Sequence, residues 1–316
     1  MHQDPPCDSV SRIQTVLDTI VQEASLSPEL GQVANYIPEL ACIDPDQFAL
    51  SVCTAEGAQF NAGDSNTRFS IQSISKVFTL AIALGQFGST LWNRVGREPS
   101  TNAFNSMIEL ELEAGKPRNP FVNAGAIVVA DMLLSGREPK EALAEILRFV
   151  RAAADDEDIF MDHALARSER DTGHRNWSLA HFLTASGNLH HDCAKTLGTY
   201  FHQCALEMTC SQLAKSGRFL AGLGPSHNLI PAAHVRSINA VMLTCGHYDG
   251  SGEFAYRVGF PGKSGVGGGI LAVVPGKASI AVWSPGLNAN GNSLRGAAAL
   301  EKLSNATGWS IFTAGL

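Results

Sequence analysis

The chain predicts an α/β (α+β) fold: one antiparallel sheet flanked by helices, assembled from both ends of the sequence, with an all-helical subdomain inserted between them. Three observations predict it. Strand-forming residues recur at 48–54 and 68–71, helical periodicity dominates 76–245, and Gly-rich loops alternate with β-branched runs after 245. The simplest closure pairs the N- and C-terminal strands and sets the helical stretch beside them, with a site in the cleft between the two parts. This makes 20–314 a single domain, with 20–72 and 246–314 as its sheet part and 73–245 as its helical part. Residues 1–19 are then an N-terminal extension and the start of the first helix.

Each element has a local cause. Val10, Ile13, Val16, Leu17, Ile20 and Val21 fall three or four apart, which predicts an amphipathic helix over 10–24 with Asp8 or Ser9 as its cap. Pro38 forbids a regular helix interior within 31–46, so Tyr36 is expected on irregular backbone. Glu56-Gly57 marks a turn after the first strand. Loops rich in Gly, Pro and Asn are expected at 96–105, 115–123 and 168–178, and Asp155-Asp156-Glu157-Asp158 reads as a solvated loop. The apolar runs 269–274 and 278–283 flank Pro275-Gly276-Lys277 and predict a β-hairpin, followed by a closing helix over 294–306.

Composition narrows the function. The 316 residues are 45% hydrophobic and 17% charged, which suits a packed globular chain. A net charge of -7 and the lack of any Lys/Arg cluster argue against a nucleic-acid partner. No apolar run approaches the roughly 20 residues that span a bilayer, so no membrane partner is expected. No secretory signal is visible in 1–11, and the seven scattered cysteines fit reduced thiols, so the expected location is cytoplasmic. His190, His191, Asp192, Cys193, His202 and Cys204 lack metal-ligand spacing and read as cap and surface residues. Neither metal nor cofactor is expected.

The chemistry starts at Gln72-Ser73-Ile74-Ser75-Lys76, where a strand runs into a helix. Residues three apart share a helix face, so the Ser73 hydroxyl can approach the Lys76 amine, and Ile74, Val77, Phe78 and Leu80 can bury that amine. Burial lowers a lysine pKa and makes it a base for an otherwise weak serine nucleophile. On their own these residues do not separate a catalytic pair from a solvated Lys76 beside a capping Ser73. Further along, Asn123 precedes small residues that open an apolar helix, 168–176 is densely polar, and Lys263-Ser264-Gly265 leads through further glycines into a strand. Ser-x-x-Lys, an Asn-bearing loop and a late Lys-Ser-Gly follow the order found in β-lactamases and penicillin-binding proteins.

The resemblance sharpens when all the blocks are read together. Asn35-Tyr36-Ile37-Pro38-Glu39-Leu40-Ala41, Gln72-Ser73-x-x-Lys76, Asn119-Pro120-x-Val122-Asn123-Ala124-Gly125, Ser168-Glu169 with Arg175-Asn176, Tyr200-Phe201-x-Gln203-Cys204, Cys245-Gly246-x-Tyr248-Asp249 and Lys263-Ser264-Gly265-Val266-Gly267 resemble the signature blocks of the serine-dependent glutaminases. The resemblance implies a β-lactamase/transpeptidase-like fold and hydrolysis of L-glutamine to L-glutamate and ammonia through a serine-linked acyl-enzyme. It implies Ser73 as nucleophile, Lys76 as base and Tyr248 as proton relay. It further implies substrate contacts from Tyr36, Ser73, Asn123, Glu169, Asn176, Tyr200, Tyr248 and Val266, an oxyanion hole from the Ser73 and Val266 amides, and a homodimer or homotetramer. His174 and Thr199 depart from the family's common residues at positions not expected to touch substrate.

Residue chemistry alone asks for the same types. Glu169 suits an α-ammonium, Asn and Tyr donors suit an α-carboxylate, and Gly265 and Gly267 let backbone N–H groups approach the reacting carbonyl. Taken singly, the same residues also read as helix caps (Asn123, Asn176), half-buried core (Tyr36, Tyr200), a partner for Arg170 or Arg175 (Glu169) and a surface charge (Lys263). A penicillin-interactive acyl enzyme and a non-catalytic amino-acid sensor are the competing functions.

Overall fold

The computed structural model describes the backbone of residues 6–223 and 229–313, and the side chains from residue 12 onward within those spans. Eight strands form among them: β1 (Ala49–Thr54), β2 (Gln59–Gly63), β3 (Arg68–Ser70), β4 (Phe160–Met161), β5 (Leu206–Thr209), β6 (Gly262–Ser264), β7 (Gly269–Val274) and β8 (Ala278–Trp283). Five make one antiparallel sheet in the order β2-β1-β8-β7-β6, which joins the two ends of the chain through Ala49↔Trp283 to Thr54↔Ala278. The hairpin at 269–283 forms with the expected bounds and pairs Val274 with Ala278.

The central strands β1, β7 and β8 are buried along their whole length because both sheet faces are covered. Ile270, Ala272, Ile280 and Val282 pack with Leu17, Ile20, Leu300 and Leu303 of the terminal helices Pro6–Ser25 and Leu294–Thr307. Leu271, Val273, Ala281 and Trp283 face Leu213, Ala214 and Phe219 of the helical part. The first helix starts at Pro6, so Asp8 and Ser9 lie inside it rather than before it; their side chains lie outside the described residues.

Three sequence expectations are corrected. The strand at 68–71 does not join the large sheet: β3 pairs with β5, which pairs with β4, in a small second sheet. Phe69 explains this, since it stacks on Trp283 at 4.8 Å and holds β3 against the face of the large sheet. The polar stretch 168–178 is not a loop but two helices, His163–Thr172 and His174–Ala185, meeting at Gly173. Arg170, Asp171, Thr172, His174, Arg175 and Ser178 are exposed on these helices while Glu169 is buried, and a Cβ on Gly173 would meet Glu169 O at 2.4 Å. Pro38 begins a one-turn helix, Pro38–Ala41, at a first-turn position that needs no N–H donor.

The helical run Gln72–Arg94 is long and apolar enough to cross a membrane, although no uninterrupted apolar run in the sequence is. Inside the fold, Ser75 through Leu84 are all buried, packing against the helix Asn123–Leu133 and its neighbours. It is the core helix of the inserted part.

Trp283 joins the two sheets, stacking on Phe69 and donating its indole N–H to Gly267 O at 2.9 Å. Trp283→Ala should therefore cost about 3–5 kcal/mol in urea unfolding. Tyr256→Ala, at a position 89% exposed, should stay within about 0.5 kcal/mol of the parent. Equal effects would contradict this role for Trp283.

Candidate active site

Strand β3 passes into one 3-10 turn, Gln72–Ile74, and then into the helix Ser75–Phe87. Gln72 adopts φ 49°, a left-handed conformation that costs a non-glycine residue about 1–2 kcal/mol. Ser73 follows this sharp turn. One turn on, Lys76 is only 1% exposed and donates to Phe121 O at 3.1 Å and Asn123 Oδ1 at 2.7 Å. Burial lowers its pKa to about 8, while negative charge on Cys204 or Glu169 pulls it upward. The reading of Lys76 as a solvated surface lysine is excluded. No hydrogen bond joins Lys76 to Ser73, because Asn123 and Phe121 take its protons; catalytic hydrogen bonds often tighten only once substrate is seated.

Glu169, on the last turn of His163–Thr172, is buried, and its Oε1 accepts from Gln72 Nε2 at 2.8 Å. Burial pushes its pKa up to about 7 against the opposing pull of Gln72 and Lys76. Neither neighbouring arginine neutralises it. Arg170 pairs with Asp171 at 2.9 Å and Arg175 donates to Asn105 O at 2.8 Å. The site thus holds a desolvated carboxyl group with no ion-pair partner among the described residues.

Asn123 opens the helix Asn123–Leu133, and its Nδ2 donates to Asn176 Oδ1 at 2.9 Å. Asn176 Nδ2 is left without a protein acceptor among the described residues. Tyr200 is buried on Cys193–Cys204, where desolvation raises its pKa well above the ordinary phenol value and keeps it a neutral donor. Tyr36 is 55% exposed as a residue, yet its phenol reaches the cleft, where burial first and then Tyr248 and Glu169 raise its pKa. Ser73, Asn123, Glu169, Asn176, Tyr200, Tyr36 and Val266 all line one cleft of about 300 Å³. Lys76 and Tyr248 lie buried beside it.

The sheet part supplies the opposite wall. A Cβ on Gly265 would come within 2.5 Å of Ile71 O and 3.3 Å of Ser73 N, and one on Gly267 within 2.3 Å of Ser70 O. These glycines therefore admit the nucleophile's own backbone. Their close packing brings Val266 to the cleft beside Ser73. The Ser73 and Val266 amides donate no hydrogen bond to a described residue, as oxyanion donors require.

Tyr248 is buried at φ 58°, and among the described residues its hydroxyl makes no hydrogen bond of ordinary geometry, although the Ser73 and Ser264 hydroxyls lie near it. Burial raises its pKa to about 12, against the lowering effect of the nearby Ser73 and Ser264 hydroxyls. Lys263 is fully buried rather than a surface charge; it donates to Gly246 O at 3.1 Å and to Ser264 O, and sits 4.4 Å from the Tyr248 ring centroid. Gln72, Phe104 and Lys263 shape the site without having been singled out as site residues. Gln72 and Lys263 stand inside the quoted motif blocks, which was their signal in the sequence, whereas Phe104 lies outside every block and had none. Among the described residues no three His, Cys, Asp or Glu side chains converge as a metal-binding group; His191 instead faces Asp131 at 2.9 Å.

An antiparallel sheet flanked by helices, with a Ser-x-x-Lys helix at its seam with a helical part, defines a β-lactamase-like fold. The family model described as Glutaminase matches residues 31–312. The glutaminase of Sinorhizobium fredii (strain NBRC 101917 / NGR234) is 60% identical over 306 residues, covering 95% of this chain and 96% of its own. A solved structure of a probable glutaminase, ybaS, aligns with a TM-score of 0.91 at 38% identity, covering 96% of this chain and 99% of the other. Mglu in its glutamate form aligns with a TM-score of 0.89 at 35% identity, covering 99% of this chain and 70% of that one. The chain belongs to the serine-dependent glutaminase family.

A raised Glu169 pKa has a consequence for stability. The folded protein holds the Glu169 proton up to about pH 7, whereas the unfolded chain releases it near 4.5. Between those values the folded state binds more protons, so stability falls as pH rises. Glu169→Gln, which removes the buried charge, should make the protein more stable than the parent at pH 8, by on the order of 1–3 kcal/mol, and nearly equal at pH 4.5. Urea unfolding at both pH values checks it, and a destabilised variant at pH 8 would show that Glu169 has a charge partner.

Proposed function

We propose that this chain is a glutaminase that hydrolyses the side-chain amide of L-glutamine to L-glutamate and ammonia through an acyl-enzyme on Ser73. The observation that carries the reading is Glu169: a buried carboxyl group with no ion-pair partner among the described residues, in the cleft that contains the serine. A substrate α-ammonium completes it. Asn176 Nδ2 and the tyrosine phenols are donors for the α-carboxylate, which leaves the side-chain amide directed at Ser73.

Neutral Lys76 accepts the Ser73 proton, directly or by way of Tyr248, as Oγ attacks the amide carbon. The oxyanion forms against the Ser73 and Val266 amides, where each aimed donor is worth about 3–4 kcal/mol in the transition state. Tyr248, buried beside Ser73 with its hydroxyl uncommitted, passes a proton to the departing ammonia. Water then takes the place of ammonia, gives its proton back along the same groups, and releases L-glutamate.

Assembly as a homodimer or homotetramer and residence in the cytoplasm belong to the same proposal. The free thiols at Cys42, Cys53, Cys193, Cys204, Cys210 and Cys245 support a reducing compartment.

Ammonia release from L-glutamine should exceed that from L-asparagine, and Ser73→Ala should abolish it while leaving the circular dichroism spectrum unchanged. Residual turnover within tenfold of the parent would end the covalent mechanism. Lys76→Ala should be nearly as damaging, without a further loss in the double variant, since the two residues act as one unit. Glu169→Gln should lower kcat/KM roughly thirty- to several-thousand-fold, the effect of leaving a desolvated cation unpaired. With Glu169 and Lys76 setting the ascending limb, kcat/KM should climb between pH 6 and 8. A profile flat across that range would mean that neither group titrates in the free enzyme.

A further inference from the structure

Tyr248 stands in a conformation that its own segment does not explain. It is a non-glycine residue at φ 58° that opens the turn Tyr248–Gly250, and its hydroxyl lies near the Ser73 and Ser264 hydroxyls without a hydrogen bond of ordinary geometry among the described residues. Phe104 lies against its ring at 4.6 Å between centroids. Ring contacts fix where the phenol lies but not where its proton points.

The side chain of Asn292 meets both needs. Asn292 is buried, and its Nδ2 donates at 3.1 Å to the carbonyl of His247, the residue immediately before Tyr248. Its Oδ1 accepts at 2.5 Å from the hydroxyl of Ser264, one of the two hydroxyls near the Tyr248 phenol. A carbonyl only accepts, so the His247 contact fixes the amide nitrogen on that side and the amide oxygen on the Ser264 side. Ser264 must then donate to Asn292, which leaves its lone pairs to accept from a neighbour. Asn292 is in turn anchored by its own loop, its N–H donating to Asn288 Oδ1 at 3.1 Å.

We infer that Asn292 is a positioning residue for Tyr248: one amide holds the left-handed backbone from its carbonyl side and turns the Ser264 hydroxyl into an acceptor for the phenol proton. Asn292 does not line the substrate cleft. It borders a separate cavity of about 250 Å³ with His247 and Asn290, so it acts on turnover through Tyr248 and not on substrate. The inference rests on the proton-relay role of Tyr248 given above.

The test is a double-mutant cycle in the full chain, with ammonia release from L-glutamine as readout. Positioned proton transfer contributes roughly 10²–10⁴-fold, so partial misplacement of the phenol by Asn292→Ala should lower kcat roughly 10- to 100-fold, with KM within about threefold. In a Tyr248→Phe background the same change should cause no further loss, because the proton it directs is already gone. If Asn292→Ala is not folded by circular dichroism, Asn292→Ser goes through the same cycle. Parental kcat in the folded single variant, or losses that multiply in the double variant, would overturn the positioning role alone. Parental turnover in Tyr248→Phe would overturn the relay reading and this inference with it.

Discussion

Burial of the Lys76 amine is the constraint on which the rest of the structure depends. Among the described residues, an ammonium at that depth is in direct contact with a carbonyl, an amide oxygen and the Tyr200 ring face at 5.8 Å. None of these is an anion, so burial brings the pKa down to about 8 and leaves a substantial fraction of the amine neutral near neutral pH, as a base for a serine must be. Keeping water from the amine needs an apolar helix packed on every side, and Ser75 through Leu84 are that helix. The same burial raises Glu169 to about 7, so one dry cleft moves both the amine and the carboxyl toward neutral pH.

The two structural parts contribute different chemistry. Glu169, Asn123, Asn176 and Tyr200 come from helices of the inserted part, whereas Val266, Tyr248 and Lys263 come from the sheet part and the turn that enters it. Ser73 sits at the seam. Gln72 crosses it through its hydrogen bond to Glu169, and Gly265 lets the β6–β7 turn lie against the serine's backbone. Two left-handed non-glycine residues, Gln72 and Tyr248, flank this seam, and such strain persists only where the surrounding structure over-determines it. Stability is given up to hold the groups ready: an unpaired buried acid, a buried amine and two strained residues occupy the same small volume.

Much of this was legible in the sequence. The hairpin at 269–283 and the helix after Ser73 announced themselves because local pattern and final environment agree. Ser73, Lys76, Glu169, Asn123, Asn176, Tyr200, Tyr36, Val266 and Tyr248 could be named in advance because they sit in ordered blocks that resemble those of the serine-dependent glutaminases; the structure brings them to one cleft or its buried edge. The small sheet was not legible, because strands of two to four residues carry no period and their pairing spans the chain. The helices around Gly173 were masked by their polar surface. Lys263 and Asn292 look like surface residues in sequence; burial and hydrogen-bond partners separated by long stretches of chain give them their roles, and those are set by packing alone.

The central claim, a lysine-activated serine that is acylated by the substrate, is tested most directly with an activated γ-glutamyl ester whose phenol leaves readily, so that acylation outruns deacylation. Rapid mixing should release a burst of phenol equal to one equivalent per active site. Mass spectrometry of the quenched protein should find a γ-glutamyl group on the peptide carrying Ser73, and Lys76→Ala should show neither burst nor adduct. Steady turnover without a burst, or an adduct on a residue other than Ser73, would contradict the account.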